Sequence, residues 1–150
     1  MGNLRIPNKS WVLVCDGQKA LLLRNEGHPD LLNLKPIEIH WEPHPRTAEL
    51  GTDAPGRSFQ SHAAGGRSAY EATDFHAQEE AQFLQKITLI IDAAASEKKF
   101  RHLVLVAPPH ALGLVRENLT PAARALILAE VPKELTKMPI GTIQEHLASA

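Results

Sequence analysis

Trp11-Val12-Leu13-Val14-Cys15-Asp16-Gly17-Gln18-Lys19-Ala20-Leu21-Leu22-Leu23 is the stretch on which the fold turns. Two short apolar runs flank an Asp-Gly pair. Trp11 to Cys15 is continuous, β-branched and aromatic, which reads as a central strand. Asp-Gly between apolar runs is a strong hairpin signal, because both central residues of a type I′ turn take positive φ. Ala20 to Leu23 is then the second strand.

The chain outward from this hairpin continues the pattern. Asn25 to Asp30 is a turn, and Leu31 to Trp41 is a third strand with a break at Pro36. Glu42 to Tyr70 has no sustained apolar period and is rich in Gly, Pro, Ser, Arg and His. It reads as a long flexible loop over about 43–72, a type of segment that is usually functional or disordered. Thr73 or Asp74 can cap a long helix. Phe75, Phe83, Leu84, Ile87, Ile90, Ile91, Ala94 and Ala95 mark its inner face. It ends near Lys98-Lys99, where cations suit the carbonyl end of the macrodipole.

His102 to Ala107 is near-continuously apolar and reads as a strand covered on both faces. Pro108-Pro109 opens a further helix, using Pro where a missing N–H costs least. Leu112, Val115 and Leu119 form its inner stripe. Thr120-Pro121 begins one more turn, and Leu126 to Val131 is the last strand. Thr142-Ile143-Gln144-Glu145 has capping-box spacing and opens a terminal helix. The order β-β-β-loop-α-β-α-β-α predicts one α/β domain over 1–150. It is a mixed sheet of the ribonuclease H-like kind, with right-handed crossovers adding parallel strands to an antiparallel start.

Composition narrows the chemistry. A net charge of -1 argues against a strongly basic nucleic-acid binder as a whole, while leaving room for a local basic patch. The single cysteine excludes an internal disulfide, and Cys15 in its apolar run reads as a core residue. No apolar run reaches the roughly 18 residues of a membrane span, and the first residues lack a signal core. The expectation is a cytoplasmic protein.

A two-metal nuclease needs carboxylates converging on one sheet edge. Asp16 ends the first strand, but the strand His102 to Ala107 supplies no carboxylate, and Glu79, Glu80 and Asp92 suit a solvated helix face. Among eight histidines the tightest group is His40, Glu42 and His44. A strand rise of about 3.3 Å per residue separates its ends by roughly 13 Å, too far for all three to close one zinc shell, which leaves His40-Glu42 or Glu42-His44 as a pair needing ligands from elsewhere. The expectation is no metal, no cofactor and no catalytic residue. There is no Gly-x-Ser-x-Gly elbow, and a Ser/His pair inside one flexible loop lacks the rigidity catalysis needs.

Anion binding is the better chemistry of the loop. Arg46, Arg57 and Arg67 lie among Gly56, Gly65 and Gly66, with Asp53 and Ser58 nearby. Glycine lets backbone amides approach an anion, and a guanidinium grips phosphate through two parallel hydrogen bonds. The third strand carries an exposed edge on which two subunits could pair. No DNA-binding motif is present.

Three stretches carry a family resemblance. They are Trp11 to Ala20, Thr52-Asp53-Ala54-Pro55-Gly56-Arg57-Ser58-Phe59, and Leu103-Val104-Leu105-Val106-Ala107-Pro108-Pro109 with Leu112-Gly113. The chain resembles the bacterial host attachment protein family. That family looks in turn like the middle domain of eukaryotic and archaeal release factors and Pelota-type rescue factors, which is ribonuclease H-like. In those factors a long loop presents Gly-Gly-Gln for peptidyl-tRNA hydrolysis. Here Gly65-Gly66-Arg67 stands in the corresponding loop. The resemblance therefore implies a non-enzymatic contact with RNA or the ribosome. Peptidyl-tRNA hydrolysis through Gly65-Gly66 and an adhesion-related interaction are its alternatives.

Overall fold

The computed structural model describes residues 4–43 and 57–150, with side chains for 4–43 and 75–150. It has a single open five-stranded mixed sheet. The strands are β1 (Trp11–Cys15), β2 (Lys19–Asn25), β3 (Leu34–Trp41), β4 (Leu103–Val106) and β5 (Ile127–Val131). The helices are α1 (Arg57–Ser96), α2 (Pro109–Asn118), the one-turn α3 (Pro121–Arg124) and α4 (Ile140–Ala148). Across the sheet the order is β3-β2-β1-β4-β5. β1 pairs antiparallel with β2 and parallel with β4, and β5 is parallel to β4.

β1 and β4 are buried at every position, which explains why both read as unbroken apolar runs. Their side chains feed two cores. Trp11, Leu13, Cys15, Leu103 and Leu105 meet Phe83, Leu84, Ile87 and Ile91 of α1, with Leu112 and Val115 of α2. On the other face Val12, Val14, Val104 and Val106 meet Ile143 and Leu147 of α4, with Ile6 and Leu135. The protein is thus three layers deep, helices on both sides of the sheet.

The hairpin turn differs from the expected type I′. The Asp16 N–H donates to Lys19 O at 2.9 Å, so Gly17 and Gln18 are the central residues. The Asp16 carboxylate accepts the N–H groups of Gln18 and Lys19, both at 2.8 Å. Neither Asp16 nor Gly17 takes positive φ. The aspartate side chain stabilises the turn as an Asx motif, and this replaces the left-handed backbone.

The Pro36 break is a bulge. Leu22 lies opposite Glu38 and Leu23 opposite Pro36, which leaves Ile37 as the extra residue. β3 is an edge strand, and its Ile39 and Trp41 are 60% and 65% exposed rather than facing the core. At the far end, α4 starts at Ile140 after Pro139, and Thr142 sits in its first turn rather than capping it. Thr120 does cap α3, accepting from Ala123 N–H at 3.2 Å. Asp92, expected on a solvated face, accepts the Thr120 N–H and hydroxyl at 3.0 Å each and so ties α1 to that cap.

The largest difference lies in α1. It begins at Arg57, not at Thr73 or Asp74. Arg57 to Tyr70, assigned to the loop, is helical backbone; residues 44–56 lie outside the described residues. Apolar periodicity reports the face a helix buries, and this stretch carries no such period in its sequence. The 40-residue α1 is about 60 Å long, while the four-residue β4 spans only about 13 Å. Among the residues with described side chains, its buried ones run from Phe83 to Ala94. α1 ends beside the start of β4, so its amino-terminal half runs past the carboxyl ends of β1 and β4.

Asn25 organises the opposite end of the hairpin. It is fully buried; its amide group donates to Ile6 O at 2.8 Å and accepts Gly27 N–H at 2.9 Å and Asn33 N–H at 3.0 Å. Asn25→Ala leaves three backbone groups without these partners. An unsatisfied buried group costs roughly 1–3 kcal/mol, so this variant is expected to lose about 3 kcal/mol in urea unfolding.

Candidate functional site at the carboxyl ends of the central strands

Parallel strands deliver their following loops to one edge of a sheet, and ligand crevices form there. Here that edge holds a cleft of about 440 Å³ whose lining includes Asp16, Gly17, His76, Glu80, Glu134 and the cationic Lys137, with His110 beside Glu80. Asp16 comes from the end of β1, His76 and Glu80 from α1, His110 from α2, and Glu134 from the segment after β5.

The centre of the cluster is a hydroxyl. Thr136 Oγ1 lies 2.8 Å from Asp16 Oδ2 and 2.7 Å from Glu134 Oε1, and it is 1% exposed. One hydroxyl proton can satisfy one of those carboxylates at a time. Glu134 Oε1 also accepts the Thr136 N–H at 3.0 Å. Burial pushes the Asp16 pKa up, but the Gln18 N–H, the Thr136 hydroxyl and the Lys19 N–H outweigh it and hold the carboxyl below its ordinary 3.8. Asp16 is therefore ionised at neutral pH. Cys15 lies directly behind it. Burial, then the charges of Asp16 and Glu134, push its thiol up to about 12, so it is an inert core residue.

Glu80 lies across Gly17. A Cβ at that glycine would fall 2.2 Å from Glu80 Oε2, so the absence of a side chain lets the carboxylate settle against the turn. His110 Nε2 is 3.7 Å from Glu80 Oε1. The sheet edge thus gathers Asp16, Glu80 and Glu134, a convergence the strand sequences do not announce. Among the described residues, however, no three His, Cys, Asp or Glu side chains are arranged to hold a metal ion. What the arrangement supports chemically is proton sharing and attraction of cationic groups.

The sequence-predicted residues are distributed differently. Arg57, Ser58, Gly65, Gly66 and Arg67 lie on the overrunning half of α1, on helix rather than on loop. Arg46, Asp53, Gly56 and His44 lie outside the described residues. His40 Nε2 pairs with Glu38 at 2.7 Å and Glu42 with Lys86 Nζ at 2.8 Å, so each already has a partner other than the other. The chain leaves β3 beside the cleft, where Glu42 N–H donates to Gln18 O at 2.8 Å. It comes back on α1, whose His76 and Glu80 line the same cleft. Glu134, Thr136 and His110 were missed by sequence reasoning. The one available signal was position, since each follows the end of a parallel strand.

Among the described residues no helix is long and apolar enough to cross a membrane. A family model described as "Protein required for attachment to host cells" matches residues 11–147. No curated protein matches the chain.

Thr136→Val tests the hydroxyl. A carboxyl whose folded pKa is depressed contributes stability above its unfolded pKa and loses it as pH falls through the folded pKa. The variant is expected to be about 1–2 kcal/mol less stable at pH 7, discounting for the half-exposed carboxylates. That gap should narrow as denaturation is measured below the ordinary 3.8 of Asp16.

Proposed function

The chain belongs to the family of proteins required for attachment to host cells, and on that premise we propose that it is a non-enzymatic cytoplasmic binding protein contacting RNA, on the ribosome. In this reading the sheet and helices form a single ribonuclease H-like domain over 1–150, akin to the middle domain of release factors. The contact is made by the segment between β3 and the packed half of α1. Arg46, Arg57 and Arg67 supply guanidinium groups for phosphate, Gly56, Gly65 and Gly66 admit close backbone approach, and Asp53 and Ser58 complete the contact.

The observation that carries this reading is the overrun of α1. A helix of about 60 Å on a much shorter sheet extends as an arm beyond the strands it packs on. A narrow arm suits insertion into a groove of a large assembly. Arg67 follows Gly65-Gly66 where release factors carry glutamine, which favours binding over hydrolysis.

Co-sedimentation with ribosomes tests the reading. Wild type is expected to pellet with ribosomes at ~50 mM salt and to be released as salt rises, as phosphate contacts are. Arg57→Ala with Arg67→Ala should lose most of that binding. Absence of wild-type pelleting, or equal pelleting of both proteins, removes the proposal.

A further inference from the structure

The opposite end of the β1–β4 pair carries a second cleft with the reverse charge. It has a volume of about 440 Å³ and is lined by Lys9, Ser10, Lys98, Lys99, Arg101 and His102, with Phe100 among the other lining residues. That volume falls within the ~300–1,000 Å³ range of small-ligand sites. Among the described residues no acidic side chain lines it. Two segments build it, 7–10 before β1 and 98–102 before β4. They are held side by side by Trp11 N–H donating to His102 O at 3.0 Å. Trp11 and Phe100 pack beneath, with ring centroids 4.9 Å apart.

Two of its lysines occupy backbone positions that favour glycine. Lys9 has φ 71° and Lys98 has φ 59°. Lys98 is the left-handed residue of a Schellman ending to α1, with Lys98 N–H donating to Ala95 O at 3.0 Å and Lys99 N–H to Ala94 O at 2.9 Å. Glycine is the usual residue there, because a Cβ is penalised in the left-handed region. The helix macrodipole accounts for cations at Lys98 and Lys99. It does not account for Lys9 and Arg101, which lie on the neighbouring segments.

The cations are also poorly neutralised. Lys99 pairs with Glu97 at 3.2 Å. Among the described residues Lys9, Lys98 and Arg101 have no acidic partner within ion-pair distance. Ser10, 1% exposed, lies among the lining residues, and its buried hydroxyl has no hydrogen-bond partner among the described residues. Like charges held together repel, and a multivalent anion relieves that repulsion while accepting hydrogen bonds from ammonium and guanidinium groups.

We propose that this cleft is a binding site for phosphate groups, separate from the α1 arm and independent of the RNA contact assigned to that arm. The phosphates come either from a small polyphosphate or nucleotide or from a nucleic-acid backbone, and the two sources are separable by experiment. The geometry also supplies a variant that spares the fold. Lys9→Gly with Lys98→Gly removes two charges at positions whose backbone glycine adopts without penalty, so the melting temperature should hold or rise.

Binding of tripolyphosphate and of a short single-stranded uridine oligomer is measured by calorimetry at low salt. Nitrogen-15 shift mapping runs alongside. Wild type is expected to bind tripolyphosphate with shifts at Lys9, Ser10 and residues 98–102. The double glycine variant should bind at least about tenfold more weakly while remaining folded. Binding of the oligomer at the same residues assigns the phosphates to nucleic acid, and its failure assigns them to a small ligand. Whatever tripolyphosphate the arm takes up, Arg57→Ala with Arg67→Ala should leave the shifts at Lys9, Ser10 and residues 98–102 in place, so this site and the arm stand or fall separately. No tripolyphosphate binding by wild type, or undiminished binding by the folded double glycine variant, overturns the proposal.

Discussion

The parallel pairing of β1 with β4 is the constraint from which the rest follows. Trp11, Val12, Leu13 and Val14 lie opposite Leu103, Val104, Leu105 and Val106, and both strands are buried on both faces. Their backbones can be satisfied only by neighbours, so β1 needs β2 on its other side and β4 needs β5. Their side chains can be satisfied only by cover on each face. A fully buried aliphatic side chain contributes about 1.5–3 kcal/mol, which makes this pair the densest source of stability in the chain. α1 and α2 cover one face and α4 the other. A parallel pair cannot be joined by a tight turn, and the long crossover through α1 is the consequence.

That pairing also separates charge. At the carboxyl ends, Asp16 and Glu134 share one threonine hydroxyl, and Glu80 lines the same cleft. At the amino ends, Lys9, Lys98, Lys99 and Arg101 surround one serine. Parallel strands send like ends to like edges, so loops distant in sequence accumulate at each edge. A net charge of -1 therefore conceals two clefts of opposite character. Average charge excludes a uniformly basic protein and says nothing about how the charges are grouped.

Local reading recovered the elements whose burial is one-sided or complete. The strand Trp11 to Cys15, the inner stripe of Leu112, Val115 and Leu119, and the short turn begun at Thr120-Pro121 are all seen. It failed where the deciding interaction is not local. The start of α1 was misplaced because Arg57 to Tyr70 has no sustained apolar period. The apolar Ile39 and Trp41 of β3 are exposed, and alternation by itself does not tell an edge strand from a central one. Glu42 pairs with Lys86, which is 44 residues away, and not with His40.

The Asp16-Gly17 hairpin shows where the division falls. By itself the sequence determined that two apolar strands meet at an aspartate, because burial periodicity and turn chemistry are properties of adjacent residues. It also determined that Cys15 is buried, since an apolar run leaves a thiol no other place. Only the tertiary structure decided that Asp16 would share a hydroxyl with Glu134, which lies beyond β5 and is joined to it by nothing in the local sequence. Only the tertiary structure set Lys9 beside Lys98 at the other edge. Contacts across that many residues depend on strand order and crossover path. Those are settled by the packing of whole elements and leave no periodic trace in the residues they bring together.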